Sequence, residues 1–290
     1  MDYLIKAMAF DDHARIYFVS CKDALNTIGD RLSYYPSALA AVGRVMSTTL
    51  MMGAMLKLEE TVTVKVEGNG PIGLILAEAD AHGNVRTYCS NPHCHFEYGE
   101  LNKLNVKATV GDSGFINVIK DLKLKEPFIG MTPIINGELA EDFAYYFNVS
   151  EQVPSVVSLG VLVDTDGRCL TSGGFIIQLL PNTPDEIIDE IENKMKSFPT
   201  MSDLLTSDLN GEDIIKMISK DARILETMDV NFKCKCSKER FENGLITLGK
   251  KELTEILEVD KTAHTVCHFC GNEYDFTEDD LKALIEKCTK

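Results

Sequence analysis

The chain has 290 residues, of which 44% are hydrophobic, and it carries a formal net charge of −16. This length suits one large domain and a smaller one, and the hydrophobic share is sufficient for a packed core. The acidic balance argues against a nonspecific nucleic-acid binder, because such proteins present a basic surface to the phosphates.

The N-terminal sequence and the most apolar stretch bear on the cellular compartment. An acidic residue at position 2 and a strand-like pattern after it predict that no secretory signal peptide is present. Residues 38–56 are apolar but contain Arg44 and several Ser, Thr and Gly residues, which predicts a buried helix and no membrane span. We therefore expect a cytoplasmic protein, in which paired cysteines favour metal or redox chemistry over structural disulfides.

Residues 1–180 alternate between strand and helix patterns. Apolar runs over 3–10 and 14–20 flank a short polar turn and predict a β-hairpin. A helical region follows over 23–56, with Pro36 at the start of its second helix. Further strands are predicted over 61–67, 74–79, 85–89, 106–110, 115–120, 161–163 and 175–180. The expected fold class is α+β, with an N-terminal core domain in which an antiparallel sheet packs against helices.

Residues 181–232 are strongly acidic, with twelve Asp or Glu against five Lys or Arg. Thr183 is predicted to cap a helix, in a capping box completed by Glu186, and short helices are predicted over 201–207 and 211–219. The apolar face of the first helix consists of Ile187, Ile188, Ile191 and Met195. Because such helices depend on tertiary packing, we interpret the segment as a metastable helical linker. An ordinary helical subdomain is the alternative, and the pattern alone favours it slightly.

Residues 233–290 form the third predicted part, a small C-terminal module. Apolar residues alternate up to Cys234, which predicts a strand that delivers the first of two cysteine pairs. Ser237 is a suitable N-cap for a helix that ends at Gly249. The other predicted elements are a helix over 250–258, a hairpin over 265–276 and a helix over 277–288. The module has few large apolar residues, so we expect it to need a metal ion for stability.

Four cysteines of this module form two close pairs, Cys234-x-Cys236 and Cys267-x-x-Cys270. Two such pairs suit a tetrahedral zinc site with four thiolates, since each pair can bind one side of the ion. Gly271 follows the second pair and allows a tight turn there. A static zinc ribbon and a dithiol switch both fit the spacing, and the spacing alone favours the ribbon. Four cysteines leave no open coordination position, which argues against a hydrolytic zinc site.

The remaining five cysteines are predicted to have no part in this site. Cys89, His93, Cys94 and His95 lie close in sequence, but Pro92 disfavours the helix that would bring such ligands together. We expect a strand end and a loop at this cluster. The isolated cysteines, expected to be packing or bystander residues, are Cys21, Cys169 and Cys288.

A glycine-rich segment over 68–73 matches the letters G-x-G-x-x-G of dinucleotide-binding loops. That fingerprint requires a strand, a tight turn and then a helix. Here Pro71 interrupts the segment and the following residues have a strand pattern. We therefore predict that these glycines shape a hairpin and that no nucleotide binds.

The two segments that carry the cysteine pairs resemble those of a known family. Residues 234–243 (CKCSKERFEN) and 266–271 (VCHFCG) are similar to the zinc segments of the 33 kDa chaperonin family, the heat-shock protein 33 group. Supporting similarity, which extends the resemblance over essentially the whole chain, lies in residues 68–71, 91–92 and 173–181. Cys94 and His95 depart from the family pattern, in keeping with their prediction as bystanders.

The resemblance implies a redox-regulated, ATP-independent chaperone that protects unfolding proteins from aggregation during oxidative stress, and not an enzyme. It implies that the reduced chain is inactive and holds zinc on Cys234, Cys236, Cys267 and Cys270. Oxidation to Cys234–Cys236 and Cys267–Cys270 disulfides would release zinc and unfold the module and the linker. The implied partners are unfolding client proteins and, after oxidation, a second copy in a homodimer, with hand-over of clients to ATP-dependent foldases.

Two alternative functions stay open at the level of the sequence. A zinc ribbon could bind nucleic acid, although residues 233–290 carry twelve acidic and ten basic residues and so lack a basic surface. The Cys267-x-x-Cys270 motif could belong to a thiol–disulfide oxidoreductase, although such motifs stand at a helix N-terminus near a βαβ unit. The resemblance favours the chaperone over both.

Overall fold

The computed structural model describes residues 1–99 and 103–288, which divide into two compact units. The first unit is Met1–Lys233 and the second is Cys234–Lys290. The boundary lies one residue from the predicted start of the C-terminal module. Residues 181–233 belong to the first unit, and the metastable character of residues 181–232 stays a prediction.

In its described residues, the first unit contains two large sheets, one small two-stranded sheet and the helices that pack on the large sheets. In chain order its strands are β1 (Tyr3–Ala9), β2 (Ala14–Ser20), β3 (Thr61–Gly68), β4 (Leu74–Asp80), β5 (Asn84–Cys89), β6 (Glu97–Tyr98), β7 (Lys103–Leu104), β8 (Gly114–Asp121), β9 (Phe128–Pro133), β10 (Ser155–Val163), β11 (Cys169–Leu179), β12 (Arg223–Asp229) and β13 (Asn231–Phe232). Its helices are α1 (Lys22–Leu32), α2 (Pro36–Ala54), α3 (Val106–Val110), α4 (Ala140–Val149), α5 (Asp185–Lys196), α6 (Met201–Thr206) and α7 (Gly211–Ile218).

The first large sheet is antiparallel throughout, and the second is antiparallel except at one short edge strand, which confirms the expected α+β class. The first sheet has the strand order β10-β11-β2-β1-β12, and the predicted hairpin pairs β1 with β2. The second sheet has the order β13-β5-β4-β3-β8-β9, in which the short β13 runs parallel to β5. Strands β6 and β7 form a separate small pair.

Helix α2 lies between the two sheets and is buried on every side, as predicted for this apolar stretch. Its hydroxyl groups bond to the helix itself: Ser47 and Thr49 donate to the carbonyls of Gly43 and Val45 at 2.8 and 2.7 Å. These bonds satisfy polar atoms that have no access to water. Within the described residues, no helix combines the length and apolarity that a membrane crossing requires.

Helices α5, α6 and α7 cover the opposite face of the first sheet. A second apolar core lies between them, formed by strand residues such as Ile16, Phe18 and Phe175 and helix residues such as Leu204 and Ile215. The covering layer buries apolar side chains of the sheet that would otherwise face water. The layer lies within residues 181–232, which were interpreted from the sequence as a helical linker, but the last part of that segment forms the strands β12 and β13.

Three local predictions for the first unit were wrong. Residues 106–110 form helix α3 and no strand, because the Asn105 side chain accepts a hydrogen bond from the amide of Ala108 at 2.7 Å and caps the helix. Thr183 caps no helix, since its hydroxyl donates to the carbonyls of His13 and Leu180 and α5 begins at Asp185. The strand predicted to run up to Cys234 is divided between β12 in the first sheet and β13 in the second.

Up to residue 288, the second unit consists of three helices and a hairpin, as predicted. The elements are α8 (Lys238–Leu248), α9 (Lys250–Val259), β14 (Ala263–Val266), β15 (Glu273–Phe276) and α10 (Glu278–Lys287). Its buried core is limited to Leu253, Phe276, Leu281 and Leu284, with half-buried apolar residues around them. So small a core is not sufficient to stabilise the unit, whose folding therefore requires a cross-link such as a bound metal ion.

Candidate metal centre

The first cysteine pair is positioned by the start of helix α8. Ser237 caps this helix, and its side chain accepts a hydrogen bond from the amide of Arg240 at 3.3 Å. The Arg240 guanidinium donates back to the carbonyl of Lys235, between the two cysteines, at 3.0 Å. The helix start therefore holds the loop from Cys234 to Cys236.

The second cysteine pair lies in the turn between β14 and β15. The amides of Cys270 and Gly271 both donate to the carbonyl of Cys267, at 3.2 and 2.8 Å. Gly271 has a φ of +72°, a left-handed conformation that glycine adopts without strain, as predicted for the tight turn. The amide of Cys267 donates to the carbonyl of Asn272 at 2.8 Å and closes the hairpin.

The four cysteine sulfurs converge although thirty residues separate the two pairs in sequence. Their Sγ atoms all lie within 4.8 Å of one another. The Sγ atoms of Cys234 and Cys267 are 3.6 Å apart, and those of Cys236 and Cys270 are 3.4 Å apart. Ligands about 2.3 Å from a tetrahedral zinc ion stand about 3.8 Å from each other, so these sulfurs can hold a metal ion with little movement. The donor set is consistent with zinc.

The sulfurs differ in their electrostatic surroundings. Burial raises the pKa of Cys234 and of Cys270. Burial also opposes ionisation of Cys236, but hydrogen bonds from the Tyr274 hydroxyl and the neighbouring thiols outweigh it and lower the pKa of Cys236 to about 7. Cys236 is therefore the sulfur whose thiolate the protein itself stabilises.

The residues around the centre are cross-linked by polar contacts. Lys238 binds Asp280 at 2.9 Å and lies over the ring of Phe276 at 5.2 Å from its centroid. Thr277 and Asp280 form a capping box at the start of α10. These contacts join the start of α8 to the start of α10 beside the first cysteine pair.

Comparisons with known proteins identify the family. A family model described as Hsp33 protein matches residues 2–277. The 33 kDa chaperonins of Bacillus pumilus and Bacillus subtilis are each 47% identical over 291 residues, which span 100% of this chain and of theirs. A crystal structure of the 33 kDa chaperonin (heat shock protein 33 homolog) from Thermotoga maritima is similar with a TM-score of 0.91 and 32% identity, over 99% of this chain and 98% of that one. The chain belongs to the Hsp33 family. It is therefore a member of a family of chaperones.

The other cysteine and histidine cluster does not form a site in this Hsp33 chain. Cys89 and Cys94 are buried, and the Cys94 thiol donates to the carbonyl of Asn91 at 3.4 Å. The His93 ring packs on Tyr35, and His95 pairs with Glu97. Among residues 1–99 and 103–288, the four-cysteine group is the single cluster of three or more His, Cys, Asp or Glu placed to hold a metal.

Cys21 lies in the buried core, and the glycine motif lies in the connection between two strands. Cys21 is buried beside the hydroxyls of Ser47 and Ser172, at 3.2 and 3.4 Å. At Gly68, a Cβ atom would lie 1.9 Å from the carbonyl oxygen of Val110, so only glycine allows this close approach. The motif lies at the connection between β3 and β4, which agrees with the predicted hairpin.

Sequence reasoning missed two side chains that contact the centre. The Tyr274 hydroxyl lies 3.1 Å from the Cys236 sulfur, and the Asn272 amide lies 3.8 Å from the same atom. The two residues are two positions apart at the start of a strand, a spacing that places side chains on one face. That spacing after Cys270 was the available signal.

Proposed function

We propose that this protein is a redox-regulated, ATP-independent holdase that binds unfolding proteins during oxidative stress. The observation that carries the proposal is the convergence of four free cysteine sulfurs in a unit with a very small core, in a chain of a chaperone family. Folding of such a unit depends on its ligands staying reduced, because only thiolates bind the metal strongly. The oxidation state of the sulfurs then controls the fold.

In the reduced state, Cys234, Cys236, Cys267 and Cys270 would be the ligands of one zinc ion. The ion, when bound, supplies a four-way cross-link and keeps the sulfurs as thiolates. Tight hydrogen bonding in the hairpin turn and the α8 cap orients the sulfurs toward one point. All nine cysteines are free thiols in this structure.

Oxidation would join Cys234 to Cys236 and Cys267 to Cys270. Forming each disulfide takes two electrons from two thiolates and passes them to one peroxide, which takes up two protons and becomes two waters. Sulfurs joined in disulfides no longer serve as thiolate ligands. Because the metal is then lost, the second unit loses on the order of 10 kcal/mol of folding free energy. Peptide mapping of the oxidised protein would distinguish this pairing from the Cys234–Cys267 and Cys236–Cys270 pairing.

The apolar face of the first sheet that α5–α7 cover is the proposed binding surface for clients. Strand residues such as Ile16, Phe18 and Phe175 are buried beneath α5–α7. In the chain, these helices are followed by β12 and β13 and then by the second unit. Helix α5 buries only Ile191 completely, and its other residues are half-buried or exposed. Release of these helices would expose contiguous apolar surface, which unfolding proteins also expose.

We propose that the oxidised form is a homodimer, that it passes clients to ATP-dependent foldases, and that it works in the cytoplasm without catalytic turnover. Neither nucleic acid nor membrane is a partner in this scheme. The net charge of −16 would keep chaperone and bound client in solution.

The test compares reduced and peroxide-treated protein in an aggregation assay with a thermally unfolding client. We expect one zinc per reduced chain, release of that zinc with peroxide at an unfolding temperature, and suppression of aggregation only after release. Protease sensitivity of residues 181–232 should rise in the same samples. Equal suppression before and after treatment, with zinc retained, would contradict the proposal, and turnover in an insulin-reduction assay would favour an oxidoreductase.

A further inference from the structure

Cys236 is distinguished from the other three cysteines by the side chains that reach it. The Tyr274 hydroxyl is 3.1 Å from its sulfur and the Asn272 amide is 3.8 Å away. Both donors come from the hairpin that carries Cys267 and Cys270, whereas Cys236 precedes α8. These contacts therefore link the first cysteine pair to the second by a route that bypasses the metal.

Tyr274 is held in place from two further sides. Its ring packs against that of Phe241 on α8, with 5.0 Å between centroids and 34° between ring planes. Its backbone lies in β15 opposite Thr265 of β14, and the Thr265 hydroxyl donates to the Tyr274 carbonyl at 3.3 Å. These contacts orient the phenol independently of the sulfur, which makes its hydrogen bond to the sulfur more effective.

A purely structural role for Tyr274 is the simpler alternative. A half-buried tyrosine commonly finds some acceptor for its hydroxyl, and its ring alone contributes to a small core. The two roles differ in one respect: only a hydrogen bond to the sulfur changes the electron density that the thiolate offers to a metal or an oxidant. Phenylalanine keeps the ring and removes that bond.

We propose that Tyr274 is a positioning residue of the metal centre, whose hydroxyl holds the Cys236 thiolate among the ligands and slows loss of the metal, with Asn272 in a supporting role. Donation to a thiolate spreads its negative charge, which lowers both its affinity for protons and its reactivity toward peroxide. The inference rests on the part of the proposed function that assigns a metal to the four cysteines. It is independent of chaperone activity.

The experiment measures metal binding by reduced, full-length Tyr274→Phe protein. Competition with a chelator should show zinc affinity lowered about 10-fold to 100-fold, the usual effect of losing a partner that orients a ligand. Bound Co²⁺ should show a shifted thiolate-to-cobalt charge-transfer band, and peroxide should release zinc faster than from the wild type. Asn272→Ala should have a smaller effect in the same direction, because its contact is longer.

Thr265→Val is the matched control. It removes a hydroxyl that bonds to the backbone of Tyr274 and leaves the sulfur contacts in place. Wild-type affinity and an unshifted cobalt band in Tyr274→Phe, or equal losses in Thr265→Val, would overturn the inference. If Tyr274→Phe loses affinity while the wild type shows no redox-dependent chaperone activity, the proposed function fails and the inference stands.

Discussion

Replacing Cys270 with serine is expected to abolish tight zinc binding and to unfold the second unit. A serine hydroxyl is a poor zinc ligand at neutral pH, and a structural zinc site contributes on the order of 10 kcal/mol to folding. The four fully buried core residues of this unit cannot compensate for that loss. Metal analysis of the purified protein, with proton NMR or protease digestion of residues 234–290, measures the result.

Cys288→Ser provides the matched control for this variant. Cys288 is half-buried in the same unit, and its thiol lies 3.7 Å from the carbonyl of Ile246, outside the four-cysteine group. It should retain one zinc and the wild-type digestion pattern. A folded Cys270→Ser protein with a full equivalent of tightly bound zinc would show that the four sulfurs do not act as one ligand set.

Placing a charge beneath α7 is expected to activate the chaperone without oxidation. Ile215 is completely buried against the first sheet, so Ile215→Asp puts a carboxylate in an apolar interface and destabilises the docking of α7 by about 3 kcal/mol or more. The reduced, zinc-loaded variant should bind a hydrophobic dye and suppress client aggregation. Dye fluorescence and light scattering, each with zinc content determined in parallel, report the two effects.

Met217→Asp is the control on the same helix, because Met217 is 38% exposed and its replacement leaves the interface intact. We expect it to behave as the wild type in both assays. If Ile215→Asp binds the dye but does not prevent aggregation, the sheet face beneath α5–α7 is not the client-binding surface. If neither effect appears while zinc remains bound, the helices are not a releasable cover.

Local sequence patterns predicted most of the helices and strands. Ser237 was recognisable as a helix cap, and the alternation of β1 and β2 around a polar turn indicated their hairpin. The β-branched residues at 106–110 were misleading, because the cap by Asn105 and packing against α2 outweigh their preference for strands.

The hydrogen bonds of Asp142 could not be predicted from local patterns, although its partners lie within seven positions of it in the sequence. Asp142 is one of 45 acidic residues in the sequence, yet its carboxylate is fully buried. It accepts hydrogen bonds from backbone amides in the loop between β9 and α4: those of Ile135, Asn136, Gly137 and Leu139. The predictions also missed β9 and α4, the two elements that this loop connects. The Asp142 carboxylate can accept these hydrogen bonds only when the loop folds around it.

The C-x-C and C-x-x-C spacing was enough to identify which residues offer metal ligands, since two close cysteine pairs are typical of a zinc site. The sequence also indicated the α+β class through local periodicity. Tertiary structure alone decided that Cys234 faces Cys267 and Cys236 faces Cys270, that Tyr274 reaches Cys236, and that α5–α7 cover one face of the first sheet. The physical reason is that these contacts depend on strand register and on packing between residues far apart in the chain, which local patterns do not specify.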